Sequence, residues 1–106
     1  MSKYSKAQEY RVAKFLNKRG WDTERVPNSG NARGSRFKGD VVGQTPSGEP
    51  VYIDHKSTRG KESITIHRQD LIEVNGQENG FLTFNFMGQH KIYAIVELEK
   101  LCELME

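Results

Sequence analysis

The stretch GDVVGQTPSGEPVYIDHKS, residues 39–57, limits what this chain can fold into more than any other segment. Residues 39–43 and 50–57 read as two strands on either side of the turn QTPSGE. In the second strand Val51, Ile53 and His55 alternate with Tyr52, Asp54 and Lys56, so Asp54 and Lys56 point the same way while His55 turns to the core. Thirteen residues folded around the turn bring Asp40, at the start of the first strand, opposite Asp54. Two carboxylates so placed repel each other unless a cation lies between them, and hard oxygen ligands suit magnesium or manganese. Asp after Gly also caps turns, and opposite charges also decorate solvated strands, so the pair takes its meaning from the rest of the chain.

That rest is a regular succession of elements. Residues 4–19 predict an amphipathic helix with Tyr4, Val12, Phe15 and Leu16 on one side and Gly20 as its left-handed terminator. Glu9 falls beside Ala13 and Leu16, on the margin of the apolar face, where its carboxylate can look towards a sheet. A short strand is expected over 21–27, followed by the polar, basic loop NSGNARGSRFK. A helix over about 67–77 offers Leu71, Ile72 and Val74 as apolar contacts. FLTFNFM and KIYAIV form a hairpin around Gly88 and Gln89, with Phe84, Phe86, Ile92 and Val96 as core, and VELEKLCELME is a short last helix. The order is αβββαββα, an α/β arrangement, and 106 residues without a dividing linker predict one domain over 1–106.

Charge separates along the chain. Residues 1–38 hold ten Lys and Arg against three acids, whereas residues 39–106 hold six against eleven. A basic front third favours a polyanion, because each neutralised phosphate releases condensed counterions, and nucleic acid is the expected partner. No apolar run approaches the roughly 20 residues a membrane span needs, and the start, MSKYSKAQEY, lacks a secretory apolar stretch. One cysteine, Cys102, allows neither a disulfide framework nor a cysteine zinc cluster, and His67 and His90 have no partners at zinc spacing. A cytoplasmic location is the default expectation.

Glu9 in the first helix, Asp40 after a Gly, and Asp54-His55-Lys56 on the next strand resemble the PD-(D/E)xK nuclease superfamily. Within it the chain is most similar to the archaeal-type Holliday junction resolvases, which place a basic Ser/Gly loop before the first metal acid and a short strand and helix after the lysine strand. Here these are PNSGNARGSRFKGDVV and SITIHRQDLIEV, and the likeness covers about residues 5–96. Gly39 stands where the superfamily has Pro, and Asp54 where the resolvases usually have Glu, which is one methylene longer.

The resemblance implies a restriction-endonuclease-like core, a mixed central sheet of about five strands flanked by helices. It implies that Asp40, Asp54 and the backbone carbonyl of His55 bind Mg2+, with Mn2+ able to substitute, and that Glu9 contributes directly or through a water. Lys56 would orient the attacking water or steady the charge developing on the phosphate. Ser29 matches a serine placed near the scissile phosphate, and Arg68 and Gln69 match positions that approach the active centre. Arg33, Arg36 and Lys38 flank the acids in sequence and would clamp the DNA backbone, with Arg11, Lys14 and Lys18 extending the basic surface along the first helix. The expected activity is cleavage of branched DNA, four-way junctions above all. Symmetric cutting of two strands needs two sites, hence a homodimer, and no small-molecule cofactor is implied. The rival readings are a nuclease of the same superfamily acting on linear, nicked or flapped DNA, and a non-catalytic nucleic-acid-binding module.

Overall fold

Both faces of one long strand are buried, and this decides the architecture. The computed structural model describes residues 3–26, 40–58 and 62–106. It contains helix α1 (Lys3–Asn17), strands β1 (Asp22–Arg25), β2 (Val41–Gln44) and β3 (Pro50–Thr58), helix α2 (Arg68–Asn75), strands β4 (Gly80–Phe86) and β5 (Tyr93–Ile95), and helix α3 (Leu98–Met105). The five strands form one mixed sheet in the order β1-β2-β3-β4-β5. All neighbours are antiparallel except β3 and β4, which are parallel and joined through α2. Helices flank the sheet as a restriction-endonuclease-like core requires.

Val41 and Ile53 pack with Val12 and Ala13 of α1 on one face, and Tyr52 and Leu82 pack with Val74 of α2 on the other. The expected alternation along β3 therefore holds as a direction but does not separate buried from exposed: Ile53 is 0% and Tyr52 7% exposed. A strand covered on both faces is what a parallel crossover produces, because the crossover helix must lie on one of them. Helix α1 ends with Gly20 at a φ of 91°, its N–H bonded to Asn17 O and the Trp21 N–H bonded to Leu16 O, the paired closing bonds that a left-handed residue permits.

Several apolar expectations need correction. Phe15 is 48% exposed, lying under the Arg19 guanidinium rather than in the core, because the buried stripe of α1 runs through Glu9, Val12, Ala13 and Leu16. Ile72 is also exposed, because two residues turn it about 200° round the helix from the buried Val74. In β4 the buried side chains are Leu82, Thr83 and Asn85, while Phe84 and Phe86 are only half-buried and touch edge to face. No strand forms over 62–67; Ile66 packs against the second core from an extended link.

At Gly43, paired with Thr23, β1 and β2 approach tightly. A Cβ there would overlap the Asp22 carbonyl oxygen and stand 2.6 Å from Thr23 Cα. Gly43→Ala must push two backbones apart, and a loss of about 1–3 kcal/mol of stability in urea denaturation is expected.

Candidate active site

The register of β2 against β3 sets Val41 opposite Ile53, so the preceding residue, Asp40, stands across from Asp54. Three bonds fix Asp40. Its N–H donates to Ile53 O (2.8 Å), its carbonyl accepts from the Val26 N–H (2.9 Å), and its Oδ2 accepts from the His55 N–H (2.9 Å). The carboxylate thus caps β3 at the point where β2 begins. Because the N–H and C=O of a strand residue project to the same side, the His55 carbonyl faces the same edge.

The acids form a chain. Asp54 hydrogen-bonds Asp40, and Asp40 hydrogen-bonds Glu9, which enters from α1. Glu9 is 3% exposed, and Arg25 holds it through Nε to Oε1 at 2.9 Å. Lys56 closes the other end, its Nζ 3.6 Å from Asp54 Oδ2 and 3.2 Å from Asp70 Oδ1. Among the described residues no group of three His, Cys, Asp or Glu side chains could hold a metal ion by itself.

Burial pushes the Asp54 carboxyl up to about 7, reinforced by its hydrogen bond to Asp40 and by that neighbour's charge. Burial likewise raises Asp40 and Glu9, although Arg25 offsets part of the rise at Glu9. Burial alone would lower Lys56, but Asp54 and Asp70 outweigh it and keep the ammonium charged. Asp70 lies below its usual range, chiefly because its Oδ2 accepts the His67 N–H at 2.9 Å. A half-buried aspartate pair with both carboxyls raised has the donor set for a hard divalent cation, which takes one or two carboxylates and keeps most of its waters.

Behind the acids a second network fixes the strand that carries them. The His55 ring, 7% exposed, bonds Thr83 Oγ1 through Nδ1 and Asn85 Oδ1 through Nε2, both at 2.7 Å. Asn85 Nδ2 donates to Gln8 Oε1 (3.0 Å), which also accepts from Arg11 Nη1 (2.7 Å), and Arg11 Nη2 donates to His90 O (2.8 Å). Gln8 precedes Glu9. The chain of bonds therefore ties α1, β3 and β4 together directly behind Glu9, Asp54 and Lys56.

Residues 1–84 match the family model for the archaeal Holliday junction resolvase (Hjc). The chain belongs to this family. It is a junction-resolving endonuclease, a protein of DNA recombination and repair, and the family's nucleases use a divalent metal and bind branched DNA. No curated protein matches it.

Against the sequence expectations for a resolvase, the structure brings Glu9, Asp40, Asp54 and Lys56 together and presents the His55 carbonyl beside them. Ser29, Arg33, Arg36 and Lys38 lie outside the described residues. Lys14 and Lys18 are exposed along an open groove between α1 and β1. Arg68 and Gln69 are exposed at the start of α2, and it is the next residue, Asp70, that reaches the lysine. Arg11 lines the same groove as Lys14 and Lys18, its guanidinium bonded to Gln8 and to the His90 carbonyl. Sequence reasoning missed Arg25, Asp70 and Asn85. Only Asp70 had a local signal, its place in the first turn of a helix, where an acid satisfies a free backbone N–H.

Two outcomes are expected. The unfolded value for Asp54 is 3.8 and the folded value about 7, so the folded protein retains a proton that the unfolded chain has released, and this group withdraws stability as pH rises from 4 to 7. His55, buried neutral, acts in the opposite sense below its usual 6.5. Comparing wild type with Asp54→Asn isolates the first effect: in chelator the wild type should lose stability relative to the variant over that range, and saturating Mg2+ should flatten the difference. Asn85→Leu leaves His55 Nε2 and Gln8 Oε1 short of partners, and a loss of about 1–3 kcal/mol in denaturant unfolding is expected.

Proposed function

We propose that this chain resolves four-way DNA junctions by Mg2+-dependent hydrolysis at the acidic site. The observation that carries the reading is the contact between Asp40 and Asp54 within reach of Lys56. Asp40, Asp54 and the His55 carbonyl would hold the ion, Mn2+ could replace it, and Glu9 would contribute directly or through a water. When bound, the cation would supply an acidified water and neutralise charge on the scissile phosphate. The Lys56 ammonium, compact and mobile, orients the attacking water or steadies the charge that grows on the phosphoryl oxygens. Asp70 positions that ammonium from the far side of the lysine.

The DNA backbone runs over the basic surface of the first third of the chain, where Arg33, Arg36, Lys38, Lys14 and Lys18 take up phosphates, with Ser29 close to the cleaved one. Arg68 and Gln69 contact DNA from α2. Arg11, which lines the same groove as Lys14 and Lys18, adds its charge to the basic surface while its guanidinium bonds Gln8 and His90. The 106 residues work as one nuclease domain, and two copies pair so that both continuous strands are cut. Among the described residues no helix is long and apolar enough to cross a membrane, and we place the enzyme in the cytoplasm.

The test uses a labelled synthetic junction and a duplex of the same sequence, with Mg2+ and with chelator. Wild type should cut the junction in preference to the duplex only with the metal. Asp40→Asn and Asp54→Asn should each cut at least about 100-fold more slowly while still shifting the junction in a gel, because transition-state groups are lost and the phosphate contacts are not. Equal cutting of duplex, or full activity in both variants, removes the proposal.

A further inference from the structure

Helix α3 is an apolar element without a partner. Its eight residues bury no side chain, and Leu98, Leu101, Leu104 and Met105 are all exposed. Among the described residues α3 packs against no other helix or strand. On a helical wheel Leu98, Leu101, Cys102 and Met105 form one stripe with Leu104 on its border, while Glu99, Lys100 and Glu103 occupy the opposite side. An isolated helix this short is marginal in water, so its formation calls for a surface to lie on.

A matching surface exists on the same molecule and is open. Helix α1 lies chiefly over β1, β2 and β3, and beside it an apolar notch is lined by Val12, Phe15, Leu16, Phe81, Ile92 and Ala94. Its Phe15 edge is cationic: the Arg19 guanidinium sits 4.8 Å over the Phe15 ring, and in sequence Lys91 precedes the lining residue Ile92. Residues 97–106 hold four Glu against one Lys, the charge complement of that edge. Only Val96 and Glu97 separate α3 from β5, and in the folded chain the stripe stays out of its own notch.

We infer that the α3 helix of one copy docks its Leu98–Leu101–Met105 stripe into the α1/β4/β5 notch of a second copy, and the reverse, as a reciprocal two-fold exchange. This rests on the homodimer reading above and names the surface that makes it. A two-fold pairing buries the stripe twice, and it leaves the Lys14 and Lys18 side of α1, along β1, open to DNA.

Two measurements test it on the full chain. By sedimentation, wild type should be a dimer, and Leu98→Lys/Leu101→Lys, which places ammonium groups in an apolar notch with a basic edge, should raise the dimer dissociation constant at least about 30-fold. The same variant should make unpaired nicks in the junction where wild type makes paired cuts. Second, mixed isotopically light and heavy Phe15→Cys protein, treated with a short thiol cross-linker, should join position 15 of one copy to Cys102 of another. A monomeric wild type would overturn the homodimer reading and this inference together. A wild-type dimer that survives the double substitution overturns the α3 seat alone, as does a cross-link within one chain (the helix folding onto its own notch) or between two Cys102 residues (helix against helix).

Discussion

The contact between Asp40 and Asp54 is the constraint on which the site depends. Partial burial together with the neighbouring Asp40 carboxyl hinders ionisation, and Asp54 is accordingly pushed up to about 7. The arrangement persists because Asp40 is over-determined: its main chain bonds both neighbouring segments, and its side chain replaces a backbone acceptor for His55. Such a pair stores electrostatic cost in the folded protein, and a divalent cation is the species that relieves it while doing chemistry. The site is preorganised for a charge that the protein itself does not carry.

Lysine is placed by a different device. A strand alternation alone would leave Lys56 free to wave in solvent, since its stem has four rotatable bonds. The parallel crossover through α2 brings Asp70 to the other side of the ammonium, so the lysine lies between two carboxylates and remains charged despite its burial. Behind it, the His55 ring is locked to β4 and, through Asn85 and Gln8, to the helix that presents Glu9. The residue between the two site residues of β3 thus serves as the bolt that sets their distance from α1. A histidine there uses its ring for the scaffold and leaves its carbonyl at the edge beside Asp40.

Junction resolution asks for more than one such site. The basic face of α1 and the apolar notch beside it lie on different sides of the same helix, which lets one element face both a polyanion and a second protein without conflict. The acidic side of α3 suits the second role and would be repelled from the first.

Much of this was legible in the chain itself. The element order, the hairpin that opposes Asp40 and Asp54, the inward turn of His55 and the marginal position of Glu9 all follow from local periods and turns, because a strand alternates every two residues and a helix every 3.6 whatever surrounds it. Which apolar residues end up buried was less legible: Phe15 lies beside the buried row of α1 and Ile72 on the side of α2 away from Val74, and a wheel alone cannot say which apolar row meets the sheet. The roles of Arg25, Asp70 and Asn85 could not be read, although Asp70 had a local signal as a first-turn acid, since each matters through a partner at least 14 residues away. Short-range stereochemistry determined the elements and the order of the acids. Only the packing of α1 and α2 on opposite faces of one sheet decided which charges meet, because Coulomb and hydrogen-bond energies depend on distance in space and are blind to distance along the chain.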